Sequence, residues 1–245
     1  MLPVAPSLSI IIPALDEAQR LPQLLQQLEG ARSRGAEVVL VDGGSRDATR
    51  SIAEAAGVRV ISAERGRARQ LQAGVDASGG AAIWLLHADS DIDPLSDQHI
   101  VWALADSGRL WGRLSVRITG NHPLLRLVAR AMNLRSRLTG IATGDQGIFV
   151  LRSALARIGG IPQQPLMEDI ELSRRLKAIC PPLCLPKRIT TSGRRWQDHG
   201  VLRTIMLMWS LRFAYWRGVD AGELAARYRR SDDRRSIPAA GSADS

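Results

Sequence analysis

The stretch Ala81–Asp93, AAIWLLHADSDID, constrains this chain more than any other. Ala81 to Leu86 form a continuous apolar run. It is too short to cross a membrane and reads as a strand buried on both faces, as in a parallel sheet. The run stops at His87, Asp89, Asp91 and Asp93. Carboxylates spaced this closely beyond a core strand repel one another unless a cation offsets them. A hard divalent ion, Mg²⁺ or Mn²⁺, does this with oxygen ligands and keeps positions for substrate phosphates. Ligands of open α/β sheets bind outside the carboxyl ends of the strands, which is where Asp89 and Asp91 are expected. Asp93, before Pro94, reads instead as a helix cap.

The preceding residues repeat the pattern. Leu8–Ala14, LSIIIPA, is an apolar β-branched run ending near Pro13, followed by Asp16 and Glu17. Leu21, Leu24, Leu25 and Leu28 recur at helical spacing. Glu37–Val41 is a second strand, ending in Asp42-Gly43-Gly44-Ser45. A helix over Asp47–Ala56 and a short strand over Val58–Ile61 complete a β-α-β-α-β order, which implies a parallel sheet with right-handed crossovers. Carboxylates thus follow the first, second and central strands, and topology places all of them on one edge of one sheet. The glycines after Asp42 suit either a nucleotide-binding turn or an ordinary tight turn; neither a dinucleotide fingerprint nor a P-loop is present. Arg67, at the start of a helix over Leu71–Ala77, faces either a phosphate or solvent.

The second half is more basic. Leu95–Ala105 is a helix, and Leu110–Ile118 alternates as a half-exposed strand. His122–Leu138 carries Leu124, Leu125, Val128 and Met132 on one helical face, with Arg126, Arg130, Arg135 and Arg137 around it. That is a membrane-surface helix or a core-packed helix with a solvated basic face. Thr143–Gly147 precedes a strand over Ile148–Leu151, and Glu168-Asp169 opens a helix over Ile170–Ile179. Acids there either complement the helix dipole or present a base to a pocket. Arg194-Arg195-Trp196 could clamp a diphosphate or line an acceptor site. Val201–Val219 is apolar and aromatic but interrupted by Arg203, Arg212 and Arg217, so it reads as a docked or interfacial helix. Residues from Arg229 to Ser245 are expected to be a disordered tail.

A net charge of +9 with pI near 10.9 favours anionic partners: nucleotides, nucleic acid or an anionic membrane. The two cysteines, Cys180 and Cys184, lack metal-site spacing and fit a reducing compartment. No signal-peptide pattern and no spanning run is present, so a cytoplasmic location, peripheral on the inner membrane face, is expected.

The segments SIIIPALDEA, VVLVDGGSRDAT, HADSD and MEDIELSRRL occur in order. Together they resemble family 2 glycosyltransferases of the GT-A fold, and GDQGIF, PLMEDIELSRRL and TSGRRW resemble a small bacterial group within it. The resemblance covers roughly residues 8–228 and implies one α/β domain, Rossmann-like, with a mostly parallel sheet. Residues of about 8–93 would form its nucleotide half and about 94–228 its acceptor half. It implies that Pro13, Asp16 and Glu17 line a nucleotide pocket and that Asp42 accepts a hydrogen bond from the base, usually uracil. Arg67 would lie near base or diphosphate, Asp89 would contact ribose or metal, and Asp91 would hold the metal. Asp169, after Glu168, matches the catalytic base, and Gly144, Asp145 and Gln146 match a segment facing the acceptor. Arg194, Arg195 and Trp196 resemble the Q-x-x-R-W signature of processive members without its glutamine, which argues against a polysaccharide synthase.

The implied reaction is inverting transfer from a nucleotide-diphosphate sugar, with a UDP-sugar favoured, to an acceptor hydroxyl. A lipid-like acceptor at the membrane face fits the basic apolar segments. Two other readings stand beside it. A sugar-phosphate nucleotidyltransferase would begin with a Gly-rich basic phosphate loop, which SIIIPALDEA lacks. A non-catalytic basic module would give Asp42, Asp89 and Asp169 no shared role. Aromatics are only 4% of residues, so no base-stacking platform is evident and no nucleic acid partner is expected.

Overall fold

The computed structural model describes residues 5–120, 122–193 and 200–233. Arg194, Arg195 and Trp196 lie outside the described residues. The chain opens with β1 (Leu8–Ala14), α1 (Leu21–Ser33), β2 (Glu37–Asp42), α2 (Thr49–Ala55), β3 (Arg59–Ser62), α3 (Arg67–Ala77) and β4 (Ala82–Leu85). There follow β5 (Asp91–Ile92), α4 (Ser96–Ser107), β6 (Trp111–Ile118), α5 (Leu124–Thr139), β7 (Phe149–Leu151), α6 (Arg152–Arg157), α7 (Glu168–Ile179) and β8 (Leu183–Thr191). Two helices close the described chain, α8 (Val201–Trp216) and α9 (Ala221–Asp233).

The strands form one sheet in the order β3-β2-β1-β4-β7-β6-β8-β5. Strands β3, β2, β1 and β4 run parallel, so the ends of β1, β2 and β4 reach the same edge. Strand β7 is antiparallel to both β4 and β6, while β6 runs parallel to β8. Alternate residues of β1 explain its unbroken apolar run. Ile10 and Ile12 pack with Leu21, Leu24 and Leu28 of α1 on one face. Ile11 packs with Leu71 and Val75 of α3 on the other. Each fully buried leucine contributes roughly 1.5–3 kcal/mol, so the period of α1 specifies its docking face. Helix α3 lies close to the sheet: a Cβ on Gly74 would meet Ile11 and stand 2.9 Å from Val41 Cγ2.

Three expectations change. Strand β6 is not half-exposed: it lies between β7 and β8, with α5 on it, and Trp111 to Leu114 are all buried. Arg113, which alternation would turn to water, is 1% exposed. Its guanidinium donates to Ser115 Oγ and to the Asn133 carbonyl, both at 3.0 Å, and those bonds allow the charge to be buried. Strand β8 was not expected, because its only strongly buried residues are Ile189 and Thr191 and its periodicity is masked by Lys187 and Arg188. The segment from Arg229 is helical as far as Asp233, continuing a helix anchored by fully buried Leu224.

Helix α7 is tied to α8 through Glu171. Arg174 donates to both carboxylate oxygens at 2.8 Å, Arg175 donates at 2.8 Å, and the Tyr215 hydroxyl lies at 3.3 Å. The Arg174 hydrogen bonds, assisted by Arg175, hold the Glu171 carboxyl down to about 2 against the effect of burial. A depressed carboxyl stabilises the fold above its ordinary pKa of about 4.3, and this is lost as pH falls through that value toward 2. Glu171→Gln is therefore expected to lower Tm at pH 7 and to flatten the fall of Tm between about pH 4.5 and 2. Thermal melts across that range check it; parallel curves for the two proteins would show that this clasp contributes nothing.

Candidate functional site

The turn after β1 and the turn after β2 are locked together at the carboxyl edge of the sheet. Asp16 adopts a left-handed conformation with φ 55°, which a short polar residue tolerates better than most. Its N–H donates to Ser45 Oγ at 3.0 Å, and its Oδ1 accepts from the Arg46 N–H at 2.7 Å. Asp42 is buried and accepts from the Ser45 N–H at 3.0 Å, closing the Gly43-Gly44 turn. The Glu17 N–H donates to Thr49 Oγ1 at 2.7 Å. Buried Gln70 of α3 donates to the Ala14 and Val41 carbonyls, both at 2.9 Å, and so holds the ends of β1 and β2 side by side. Sequence reasoning missed Gln70; its signal is its place one turn beyond Arg67, on the helix face that meets the sheet edge.

A cleft of about 250 Å³ opens above this edge. Pro13, Glu17, Arg67, Gln70, His87 and Asp89 line it, whereas Asp16 and Asp42 shape the adjoining turns. The Arg67 Nη2 contacts His87 Nε2. A guanidinium has only donors, so Nε2 must be the acceptor and the ring proton sits on Nδ1. That nitrogen faces Asp89 Oδ1 at 4.0 Å. Burial, and then the Arg67 charge, push the His87 pKa well below its usual value, which keeps the ring neutral as this contact requires.

Arg67 also reaches across to the start of α7. Its Nε lies 3.0 Å from Glu168 Oε1, although the N–H is not aligned for a hydrogen bond, so the contact is one of charge. Glu168 and Asp169 open α7 directly after Met167, a buried non-glycine residue at φ 64°. This left-handed turn is a costly conformation of the kind concentrated at functional sites. It aims Asp169 at the Gly144–Gln146 turn. Asp169 Oδ2 accepts from the Gly144 N–H at 2.8 Å and Oδ1 from the Ile170 N–H at 2.7 Å. Burial raises the Glu168 carboxyl, Arg67 opposes this and Asp169 adds to it. Asp145 is raised by the same balance: burial first, opposed by Arg67, with Asp169 and Asp89 pushing it further up. Asp89, Asp145, Glu168 and Asp169 thus form one interacting group around Arg67.

Two residues take places other than those expected. Asp91 does not line the cleft. Its carboxylate accepts from the Gln27 side chain of α1, whose Oε1 in turn accepts from the Ile92 N–H at 2.9 Å. Strand β5, last in the sheet order, pairs with β8, and the Asp91 carboxylate meets Gln27 and does not line the cleft with Asp89. Gln146 is fully buried and donates to Ser136 Oγ at 3.0 Å and Asn133 Oδ1 at 3.2 Å, holding its turn to α5. Asp93 accepts from the Leu95 N–H at 2.9 Å and shapes the approach to α4.

Among the described residues no group of three His, Cys, Asp or Glu side chains is placed to hold a metal. Asp89, about one-third exposed in the cleft, suits the other kind of site. There one carboxylate and substrate phosphates share a hard ion that keeps several waters.

The sheet topology, with a polar cleft over its carboxyl edge, is that of the GT-A fold, and the chain is a glycosyltransferase by its family. The family description "Glycosyl transferase family 2" matches residues 9–155, more than half of the chain, and the chain belongs to that family. An undecaprenyl-phosphate 4-deoxy-4-formamido-L-arabinose transferase of Pseudomonas aeruginosa is 30% identical over 154 residues, covering 58% of this chain and 45% of its own length. The protein of that name from Pseudomonas paraeruginosa is 32% identical over 155 residues with the same coverage. This chain therefore spans less than half the length of these curated relatives. Among solved structures, glucosyl-3-phosphoglycerate synthase of Mycobacterium tuberculosis with Mn²⁺, UDP and glucosyl-3-phosphoglycerate superposes with TM-score 0.56 at 18% identity, covering 76% of this chain and 70% of that one. S. aureus TarS gives 0.62 at 14% identity, covering 76% and 60%. These two likenesses show the fold.

Gly144 is where the two sides of the site touch. A Cβ there would collide with the Arg67 guanidinium and stand 2.7 Å from His87 Nε2. Gly144→Ala is expected to cost about 1–3 kcal/mol in urea denaturation, as overpacking does. Combined with Arg67→Ala it should show a favourable coupling of roughly 1 kcal/mol, because the second change removes one of the colliding groups. Strict additivity would show that Arg67 does not occupy this position.

Proposed function

We propose that the enzyme is a metal-dependent, inverting glycosyltransferase that moves a sugar from a nucleotide diphosphate, with uridine favoured as the base, to an acceptor hydroxyl. The observation that carries this reading is the single group formed by Asp89, His87, Arg67, Glu168 and Asp169, which joins the cleft above the sheet edge to a fixed carboxylate. Pro13, Glu17 and Arg67 would border the nucleotide, with Asp42 and Asp16 supporting the turns beside its base. Asp89 would hold Mg²⁺ or Mn²⁺ together with the diphosphate. When bound, such an ion compensates the charge of the departing diphosphate. The M. tuberculosis neighbour, crystallised with UDP and Mn²⁺, supports this part of the reading.

Asp169 would act as the base. Two backbone N–H donors fix its plane, and each oxygen keeps a second lone pair for a hydroxyl proton. Attack opposite the departing diphosphate inverts the anomeric carbon and needs no enzyme nucleophile.

We infer also that the enzyme works against an anionic membrane face. Leu127, Leu134 and Leu138 of α5 are exposed, as are Leu202, Met206, Trp209, Phe213 and Trp216 of α8. The α8 residues follow helical spacing, so they share one face. Exposed arginines flank them: Arg126, Arg130 and Arg137 on α5, and Arg203 and Arg217 by α8. Apolar residues with aromatic and basic neighbours suit an interfacial helix, and among the described residues no helix is long and apolar enough to cross a membrane. The relatives named for undecaprenyl phosphate support a lipid-like acceptor.

Thermal shift with UDP, GDP, dTDP, CDP and ADP, with and without Mn²⁺, tests the donor site. One diphosphate is expected to raise Tm only with the ion, and Asp89→Ala should abolish the rise. Asp169→Asn should keep the rise and lower kcat by about 10²–10⁴-fold. A folded protein that responds to no nucleotide would sink the transferase mechanism. For the membrane claim, the protein should float with anionic liposomes at low salt, and Trp209→Ser with Phe213→Ser should leave it in the soluble fraction. Equal recovery with neutral and anionic liposomes would remove the role given to the arginines.

A further inference from the structure

Two cavities meet beside the site, and they share two arginines. One, of about 620 Å³, lies between α5 and α8 and is walled by Leu127, Val128, Met132, Met208 and Trp209. The other, of about 840 Å³, lies between α7 and the end of α8. Arg135 and Arg212 line both. Asp145, of the carboxylate group already described, stands at the inner end of the first.

Arg135 is placed against its own stability. The Nε and Nη2 of Arg135 are buried without a hydrogen-bond partner. Among the described residues Arg212 has no hydrogen bond or ion pair either. Burial, and then the Arg212 charge, lower Arg135 to about 10, with Asp169 pulling the other way. Asp169 favours the charged form of Arg135, and Arg212 favours that of Asp145, but among the described residues no carboxylate bonds to either guanidinium, and buried N–H groups without a partner are a net cost to the fold unless an anion joins them. A guanidinium pair is well matched to phosphate oxygens, which accept several N–H bonds at once. The apolar walls continue from this pair to Leu127 and Trp209, which are also exposed on the face proposed to meet the membrane.

We propose that Arg135 and Arg212 form an anion subsite for the acceptor, which is an amphiphile with a phosphate-bearing head at the arginines and a hydrocarbon tail in the α5–α8 groove. This rests on the glycosyltransferase reading for its purpose, but the binding is a property of the groove alone. It concerns the charge of the head, whichever of its oxygens reacts. It also explains why a mostly apolar groove carries two arginines, one of them with buried N–H groups that have no partner.

The test is direct binding to the full chain, read by tryptophan fluorescence because Trp209 lines the groove. The probes are farnesyl phosphate, farnesol and inorganic phosphate, each below its aggregation threshold. Farnesyl phosphate is expected to bind at least about tenfold more tightly than farnesol. Arg135→Gln with Arg212→Gln should erase that difference, leaving farnesol binding unchanged. Arg135→Lys should keep part of it. The double variant should also melt at a higher temperature than the parent, since the cavity loses uncompensated charge. A retained UDP–Mn²⁺ shift in the variants shows that the fold and donor cleft are intact. Equal affinity for farnesyl phosphate and farnesol, or a preference that survives the double variant, overturns the subsite. Inorganic phosphate binding as tightly as farnesyl phosphate overturns the tail and makes the ligand a small free phosphate. Because nucleotide binding is read separately, failure of the donor response would count against the transferase reading and leave this subsite standing.

Discussion

The Arg67 guanidinium projects from the first turn of α3 and touches His87 beyond β4, Glu168 at the start of α7, and the space that a side chain on Gly144 would fill. These groups come from three separate crossings of the chain, and the geometry of the site depends on one side chain spanning them. Its positive charge offsets carboxyls that burial would otherwise neutralise, as the opposing effects on Asp145 and Glu168 show. It also dictates the state of His87, because a donor-only group beside Nε2 leaves no room for a second ring proton. Lysine could not do the same, since it has no planar fork to meet several partners at once.

The scaffold beneath is rigid for simple reasons. Parallel strands buried on both faces bring the ends of β1, β2 and β4 to one edge, and Gln70 pins two of them through their terminal carbonyls. On the other side, the Gly144–Gln146 turn is held by Gln146 to α5 and by Asp169 to α7. The two sides of the site are therefore each anchored by buried amide or carboxylate hydrogen bonds, and Arg67 joins them by charge.

Charge and apolar surface are distributed unevenly. Carboxyls concentrate at the centre of the site, while arginines and exposed Leu, Met, Phe and Trp crowd α5 and α8. A groove lined by Arg135 and Arg212 runs between these regions, with Arg135 Nε and Nη2 buried without a hydrogen-bond partner. The proposed reaction would use that layout with an anionic donor at the sheet edge and an acceptor at the apolar, basic face. The left-handed turn at Met167 lies at the start of α7, beside the carboxyls of the site.

Residues 8–93 were legible from the sequence because a strand covered on both faces must be apolar throughout, and parallel topology alone puts the ends of such strands together. Hence the α/β class, the edge carrying Asp16, Glu17, Asp42 and Asp89, and the family likeness could be read without coordinates. Local spacing misled where the chain turns: Asp91 sits two residues from Asp89, yet pairing of β5 with β8 carries it to Gln27. Gln146 and Arg113 looked like surface or site residues, and only the arrival of α5 supplies partners that let them be buried. The meeting of Arg135 with Arg212 has no local signature at all. It exists because α5 and α8, distant in sequence, enclose the same groove, and contacts of that kind are decided by how helices pack rather than by any pattern along one of them.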